Sequence, residues 1–359
     1  MKKIIVISNT AFSIEKFRLH YLQDLYDYAI DIYTPFSKVK INSNVKNIKS
    51  KKLNNKNLLS ELLFLNQMIK ENIYSTFFIF SFKYQFLIGL IRLIKSFKVI
   101  SLIAGKGYFF YRKNIINFLL KPLIGLIFRK FDKIICINPM DKKFFYNYLN
   151  APIELIPTEG VIYKKIKNKV NRKKNFIYFS RIIKEKGINE FLCIAKHFKK
   201  KYKNLNFYIC GPLADKYIGQ STLFTKKNYE KKIKQYKKYV IYKRFKKFEN
   251  IFPEMDCLIS PSYTEGAGTS VMEAMISGLF IIAYKNNGHK YILNGTNNIL
   301  CNQNIRSLKD GIEKYINMDK KELHKISIKS KKKIYDNFRS KIVSKKIKTI
   351  FDRNSDKIK

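Results

Sequence analysis

Four charged side chains carry the chemistry legible in this sequence. Glu265 and Glu273 bracket a short polar stretch, Gly266, Ala267, Gly268, Thr269 and Ser270. Before it, the apolar run 256–260 reads as a buried parallel strand that stops at Pro261. A helix is expected over 270–277, with Gly278 as its C′ stop, and 279–284 reads as the next strand. Ligands of an open parallel sheet bind beyond the carboxyl ends of its strands. Glycine lets backbone approach a ligand closely, and a helix N-terminus presents N–H groups that suit phosphate. Carboxylates repel phosphate but accept hydrogen bonds from hydroxyls. Together these features point to a sugar attached to a phosphate. Arg181 and Lys186 follow another apolar run, where a diphosphate would lie; arginine grips phosphate oxygens in pairs and lysine adds a point charge.

Glu265 and Glu273, set in Glu-Gly-x-Gly-x-Ser-x-x-Glu-Ala-Met-x-x-Gly, resemble the Glu-x7-Glu motif of glycosyltransferase family 4. These are retaining enzymes of the GT-B class. The string Ser-Arg-x4-Lys-Gly at 180–187 is similar to the paired cations with which that family holds the donor diphosphate. The resemblance covers nearly all of the second half and, more weakly, the first. It implies an α/β GT-B fold, two Rossmann-like domains facing across a cleft. It assigns Arg181, Lys186 and Glu265 to catalysis. Donor binding falls to Gly211, Gly266, Ala267, Gly268, Thr269, Ser270 and Glu273, with Glu273 on the ribose hydroxyls. Asn9, Thr10, Ala11, Phe12 and Ser13 resemble the acceptor-side loop of bacterial polysaccharide transferases, without its usual glycine pair. Gly105, Lys106 and Gly107 resemble a glycine-rich segment of transferases that extend polyprenol-linked sugars; a surface turn is the other reading. The histidine that many relatives carry near this second loop is missing.

The 359 residues suffice for two domains, and 46% hydrophobic with 15% aromatic residues excludes a disordered chain. A net charge of +46, from 72 basic and 26 acidic residues, predicts attraction to polyanions. Lysine is spread over the whole chain, however, and no nucleic-acid recognition motif stands out, so nucleic acid is not an expected partner. The five cysteines form no Cys-x-x-Cys and sit mostly in apolar runs, as buried thiols of a reducing compartment do. The four histidines have no metal-ligand spacing and there is no Asp-x-Asp, so neither metal nor cofactor is expected. No secretory signal and no run of 18 apolar residues is visible, which reads as a protein without spans.

Along the chain, strands alternate with helices in two rounds. The first has strands at 4–7, 31–34, 76–80, 98–103, 133–138 and 153–157. Its helices are expected from Ser13 to about 28, over 58–70, from 86 to 94, and over 141–148. The segment 112–130 is apolar and basic; it reads either as a core-facing helix with solvated lysines or as one docking in an anionic membrane interface. A linker with seven basic residues spans 163–174. The second round has strands at 176–180, 206–211, 240–242, 256–260 and 279–284, with helices over 189–201, within 213–238 and over 248–255. The stretch 286–290 starts another loop-helix unit, which the resemblance implies frames the donor pocket, with His289 read as a polar loop residue rather than a catalyst; 319–350 reads as one long basic helical region. The domain boundaries follow: 1–165 for the acceptor, 172–335 for the donor, and 336–359 as a helix returning to the first domain.

The expected activity is a hexosyl or N-acetylhexosaminyl transfer with retention, from a nucleotide diphosphate sugar, UDP-linked, to a glycan or polyprenol-linked glycan. Such a protein would work at the cytoplasmic, inner face of the cell membrane in the synthesis of capsule or lipopolysaccharide. A nucleotide-sugar epimerase of the same fold is the alternative, and a basic nucleic-acid-binding protein a more distant one.

Overall fold

The computed structural model describes residues 2–53, 57–105, 110, 115–162, 172–213, 226–244 and 246–355. The chain divides into two compact units. Unit 1 comprises 1–160 and 340–359; unit 2 comprises 161–339.

Unit 1 is built on a seven-stranded sheet: β1 (Lys2–Ile7), β2 (Tyr28–Thr34), β3 (Ile48–Lys52), β4 (Thr76–Ile79), β5 (Lys98–Ile103), β6 (Lys133–Cys136) and β7 (Ile153–Leu155). The order is β3-β2-β1-β4-β5-β6-β7, with every pair parallel. Its helices are α1 (Ala11–Phe17), α2 (Leu19–Gln23), α3 (Leu58–Glu71), α4 (Phe82–Ile94), α5 (Ile115–Arg129), α6 (Pro139–Leu149) and the returning α13 (Ser340–Ser355). A parallel sheet must be covered on both faces, and alternation along β4 shows how. Phe77 joins the core of Leu65, Tyr84, Ile88, Ile127 and Phe128, while Phe78 points away and meets Phe351 of α13 at 5.1 Å between rings.

Unit 2 repeats the plan with β8 (Asn175–Phe179), β9 (Asn206–Cys210), β10 (Ile241–Lys243), β11 (Cys257–Ser260), β12 (Phe280–Tyr284) and β13 (Ile299–Cys301), in the parallel order β10-β9-β8-β11-β12-β13. Around it lie α7 (Ile188–Lys201), α8 (Lys226–Gln235), α9 (Thr269–Ile276), α10 (Asn287–Leu293), α11 (Ile305–Asn317) and α12 (Lys320–Asn337). Helix α7 shows why a lysine-rich sequence still folds: Ile188, Phe191, Leu192, Ile194, Ala195 and Phe198 recur at helical spacing and are all buried.

Several sequence expectations are corrected. The first helix is capped by Thr10, whose hydroxyl accepts from the Ser13 amide at 3.2 Å, and not by Ser13. It does not reach 28: α2 ends at Gln23, and Tyr28 opens β2, tied through its hydroxyl to Asp352 of α13 at 2.9 Å. Helix α4 starts at Phe82 rather than 86, because Ser81 already has the extended backbone of a cap. The segment 248–255 forms two 3₁₀ turns, Phe248–Asn250 and Phe252–Glu254, with Pro253 in the second. The long terminal helix breaks at Phe338 and Arg339, where Val161 pairs with Arg339 and its amide donates to the Phe338 carbonyl at 2.9 Å. Strand β13 and helix α11 have no counterpart in the sequence reading.

Helix packing in unit 1 rests on one small residue. A Cβ added at Gly89 of α4 would stand 2.0 Å from Ile127 of α5. Gly89→Ala should therefore destabilise unit 1 by about 1–3 kcal/mol, the usual cost of overpacking, read as a lower denaturant midpoint. An unchanged midpoint would mean that α5 shifts freely.

Candidate functional site

The residues expected on the donor side all lie in unit 2: Arg181 and Lys186 after β8, Gly211 after β9, and Glu265 to Glu273 after β11. Strand β8 runs out at Phe179, Arg181 follows half-buried, and a 3₁₀ turn over Lys184–Lys186 carries Lys186 back toward β11. Gly187 closes that turn at φ +73°. A Cβ there would lie 2.1 Å from the carbonyl oxygen of Pro261, so only glycine permits this approach of the two chain segments.

The approach brings Lys186 onto Glu265. Nζ lies 2.6 Å from Oε1, and the two side chains are only 14% and 13% exposed. Nζ also reaches the Thr264 carbonyl at 3.5 Å. Burial pushes the Glu265 carboxyl upward, but the Lys186 charge beside it, the nearby His289 and hydrogen bonds from Lys186 and Ser262 outweigh this and hold it below the ordinary carboxylate range. Burial and the neighbouring Arg181 charge lower Lys186, against the pull of Glu265. Arg181 and Lys186 thus stand close enough to repel each other, next to a carboxylate that stays ionised.

Beyond Glu265 the chain enters α9 through Gly268, at φ +63°. No side chain caps this helix, although the Val271 amide donates to the Gly268 carbonyl at 2.9 Å. Thr269 and Ser270 occupy that first turn half-exposed, Ala267 is buried beside it, and Glu273 is 7% exposed one turn further on. Gly278 ends the helix at φ +83°, as the sequence predicts. Gly211, expected beside the donor, packs at the end of β9 against the Ser180 carbonyl, which a Cβ would meet at 1.8 Å. Its lack of a side chain is explained by that packing.

The residues expected on the acceptor side lie in unit 1. Asn9, Thr10, Ala11, Phe12 and Ser13 follow β1, with Thr10 as cap and the Ser13 hydroxyl 2.8 Å from that of Ser8. Gly105 follows β5 at φ +141°. Lys106 and Gly107 lie outside the described residues. Among the described residues, no group of three or more His, Cys, Asp or Glu is placed to hold a metal ion.

Sequence reasoning placed a loop-helix unit at 286–290, which the structure has as α10, but missed that His289 is buried against the Glu265 loop. His289 is not a loop residue; it is fully buried in the first turn of α10. Its Nδ1 lies 2.8 Å from the Tyr284 carbonyl and 3.0 Å from the Asn286 amide nitrogen; Nε2 faces the Ser260 hydroxyl at 3.3 Å. Burial lowers its basicity, against the opposing pull of Glu265. The legible signal was Asn286: an asparagine directly after a buried strand is a helix cap, which puts the third residue on in the first turn.

The pair's titration has a definite sign. Glu265 is ionised in the folded protein at pH values where the unfolded chain, near 4.5, already binds a proton. Its stabilisation is present above that value and is lost as pH falls through the lower folded-state value. Glu265→Gln should cost about 1–3 kcal/mol near neutrality by leaving Lys186 without its partner. That difference from the parent should vanish in acid; denaturation at a series of pH values reads it, and a difference constant with pH would contradict the pairing.

Comparison with known proteins follows this geometry. Residues 162–333 match the family described as Glycosyl transferases group 1. No curated protein matches the sequence. Among solved structures, sucrose-phosphate synthase from Thermosynechococcus elongatus superimposes with a TM-score of 0.80 at 14% identity, covering 98% of this chain and 99% of that one. Anabaena HepE in complex with UDP-glucose gives 0.76 at 13%, covering 98% and 100%. WaaG, a glycosyltransferase involved in lipopolysaccharide biosynthesis, gives 0.72 at 11%, covering 97% and 99%. At such identities the likeness is one of fold, the α/β GT-B fold with two Rossmann-like domains. The match to glycosyl transferases group 1 falls within unit 2.

Proposed function

We propose that this chain is a retaining glycosyltransferase that moves a sugar from a UDP-sugar to a glycan carried on a lipid, in the synthesis of a bacterial surface polysaccharide. The observation that carries the reading is the Lys186–Glu265 pair, 2.6 Å apart and sheltered, beside Arg181 and the uncapped start of α9. Without donor, Lys186 neutralises Glu265. A diphosphate arriving at Arg181, Lys186 and the α9 amides offers Lys186 a stronger anion. Glu265 is then released to accept hydrogen bonds from the donor sugar's hydroxyls. As the bond from the anomeric carbon to the phosphate oxygen breaks, its electron pair leaves with UDP. Arg181, Lys186 and the helix start stabilise that charge, and the negative Glu265 faces the electron-poor sugar. The acceptor hydroxyl attacks from the same face and passes its proton to the departing phosphate oxygen; attack from that face conserves the anomeric configuration. Glu273, buried on α9, serves the ribose hydroxyls. Positive charge on the leaving group comes from side chains and amides, so the proposal calls for no metal or cofactor.

The lipid-linked acceptor and a place at the inner membrane face are supported by unit 1. No described helix is long and apolar enough to cross a membrane. Helix α5 buries Ile124, Ile127 and Phe128 but exposes Ile115, Phe118, Leu119 and Leu126. One side of this segment faces the core and the other is apolar and open, with Lys121, Arg129 and Lys130 beside it. Such a side fits a membrane interface, where each basic residue near anionic headgroups contributes ~1 kcal/mol.

Two experiments test these readings. Nucleotide sugars are first screened for protection against thermal unfolding; a UDP-sugar at a hundred times its Kd should stabilise by about 2.7 kcal/mol. With that donor, Arg181→Ala and Glu273→Ala should lose transfer by ~10²–10³-fold while the fold survives. Glu265→Gln should bind UDP more tightly than the parent, because Lys186 no longer has a competing anion, yet transfer poorly. Full transfer in the Arg181 and Glu273 variants removes the site from the chemistry. Separately, the parent should sediment with vesicles containing phosphatidylglycerol but not with neutral ones. Phe118→Ser with Leu119→Ser should weaken that binding; sedimentation unaffected by the double change excludes α5 as the docking face.

A further inference from the structure

The loop carrying Glu265 is gripped from one side by the first turn of α10. The Asn286 amide donates to the Ser262 carbonyl at 2.9 Å while its oxygen caps α10 at the His289 amide, also 2.9 Å. The Gly288 amide donates to the Glu265 carbonyl itself at 3.1 Å. The packing leaves no slack: a Cβ at Gly288 would lie 2.7 Å from that carbonyl oxygen. The third grip is the His289 ring. A Cβ at Gly268 would stand 3.3 Å from its Cδ2, so the ring sits directly beneath the residue that opens α9. Through Nδ1 and Nε2 the same ring joins the Tyr284 carbonyl, at the end of β12, to the Ser260 hydroxyl, at the end of β11.

We propose that His289 is a positioning residue for sugar transfer: with Asn286 and Gly288 it clamps the loop 262–268, fixing where the Glu265 carboxylate stands. The inference rests on the transfer reading above and goes beyond it, since His289 touches neither donor nor acceptor in that scheme. Two features set the ring apart from an ordinary core side chain. It touches three chain segments, the ends of β11 and β12 and the start of α9, and both its nitrogens have partners. An aliphatic residue could fill the volume but could not bridge Ser260 to Tyr284. Displacing a carboxylate by about 1 Å can cost on the order of a hundredfold in rate while leaving binding through other groups intact. The clamp should therefore act on kcat and spare diphosphate binding, which belongs to Arg181, Lys186 and the α9 amides.

The test measures kcat and KM with the donor found in the screen, UDP affinity by calorimetry, and melting temperature, on the full chain. His289→Ala should lower kcat by about tenfold or more while UDP affinity stays within about twofold. His289→Asn, which keeps an amide donor for the Tyr284 carbonyl, should recover part of the loss. Gly288→Ala displaces the Glu265 backbone without altering His289 and should show the same split, which keeps the test open if His289→Ala does not fold. Unchanged kcat in a folded His289→Ala or in Gly288→Ala overturns the clamp. So does a parallel loss of kcat and UDP affinity tracking melting temperature, the pattern of plain core damage. A parent protein that transfers no sugar at all refutes the transfer reading and the clamp with it; an active parent with unimpaired variants refutes the clamp alone.

Discussion

Everything at the working end of unit 2 follows from how closely β8 and β11 deliver their chains to each other. The two strands are hydrogen-bonded neighbours, with Cys257 opposite Phe176 and Leu258 opposite Ile177. Past their ends the segments converge further, until Gly187 lies against the Pro261 carbonyl. That contact lets a lysine from one segment and a glutamate from the other share a 2.6 Å ion pair largely out of water. Moving the segments apart by the width of a methyl group would replace a sheltered pair with two solvated charges, and exposed pairs contribute little.

The pair is poised because neither partner is held for its own sake. Sheltering both charges raises their mutual attraction and their desolvation cost together, so the net contribution to stability is modest. What the shelter adds is sensitivity: a doubly charged anion placed beside Arg181 and Lys186 meets little competing water and two cations that already repel each other. The start of α9, which no side chain caps, follows on the same loop.

Much of this was legible in the sequence. Buried parallel strands are continuous apolar runs, and those at 98–103 and 279–284 leave no other reading. Glycines flanking charged residues marked both halves of the donor site. What escaped the sequence depends on contacts between distant segments. Ser13 and Thr10 are equally good caps by type, and the backbone chose Thr10. Tyr28 joins a strand because its ring and hydroxyl meet Phe351 and Asp352, more than three hundred residues away. His289 looked polar and therefore exposed; only the fold supplies the carbonyl and hydroxyl that make its burial tolerable.

In a chain with 72 basic and 26 acidic residues, cations are abundant and a buried carboxylate is the informative group. Asp31 and Glu61 are buried, but their lysine partners, Lys3, Lys51 and Lys83, remain 38–48% exposed, as expected where surface lysine reaches in to neutralise an acid. Asp256 is buried and accepts from backbone amides of 172, 174 and 175, a structural task at the foot of β11. In Arg18–Glu159 both partners are sheltered, at 7% and 8%, and the guanidinium stacks on Phe80 at 4.5 Å, which locks it in place. Lys186–Glu265 shares the shelter without the lock: its lysine is a flexible point charge beside another cation, its glutamate rides on a glycine loop, and an open helix start lies next to both. That difference separates a pair that fastens the fold from one that can exchange partners when an anion arrives.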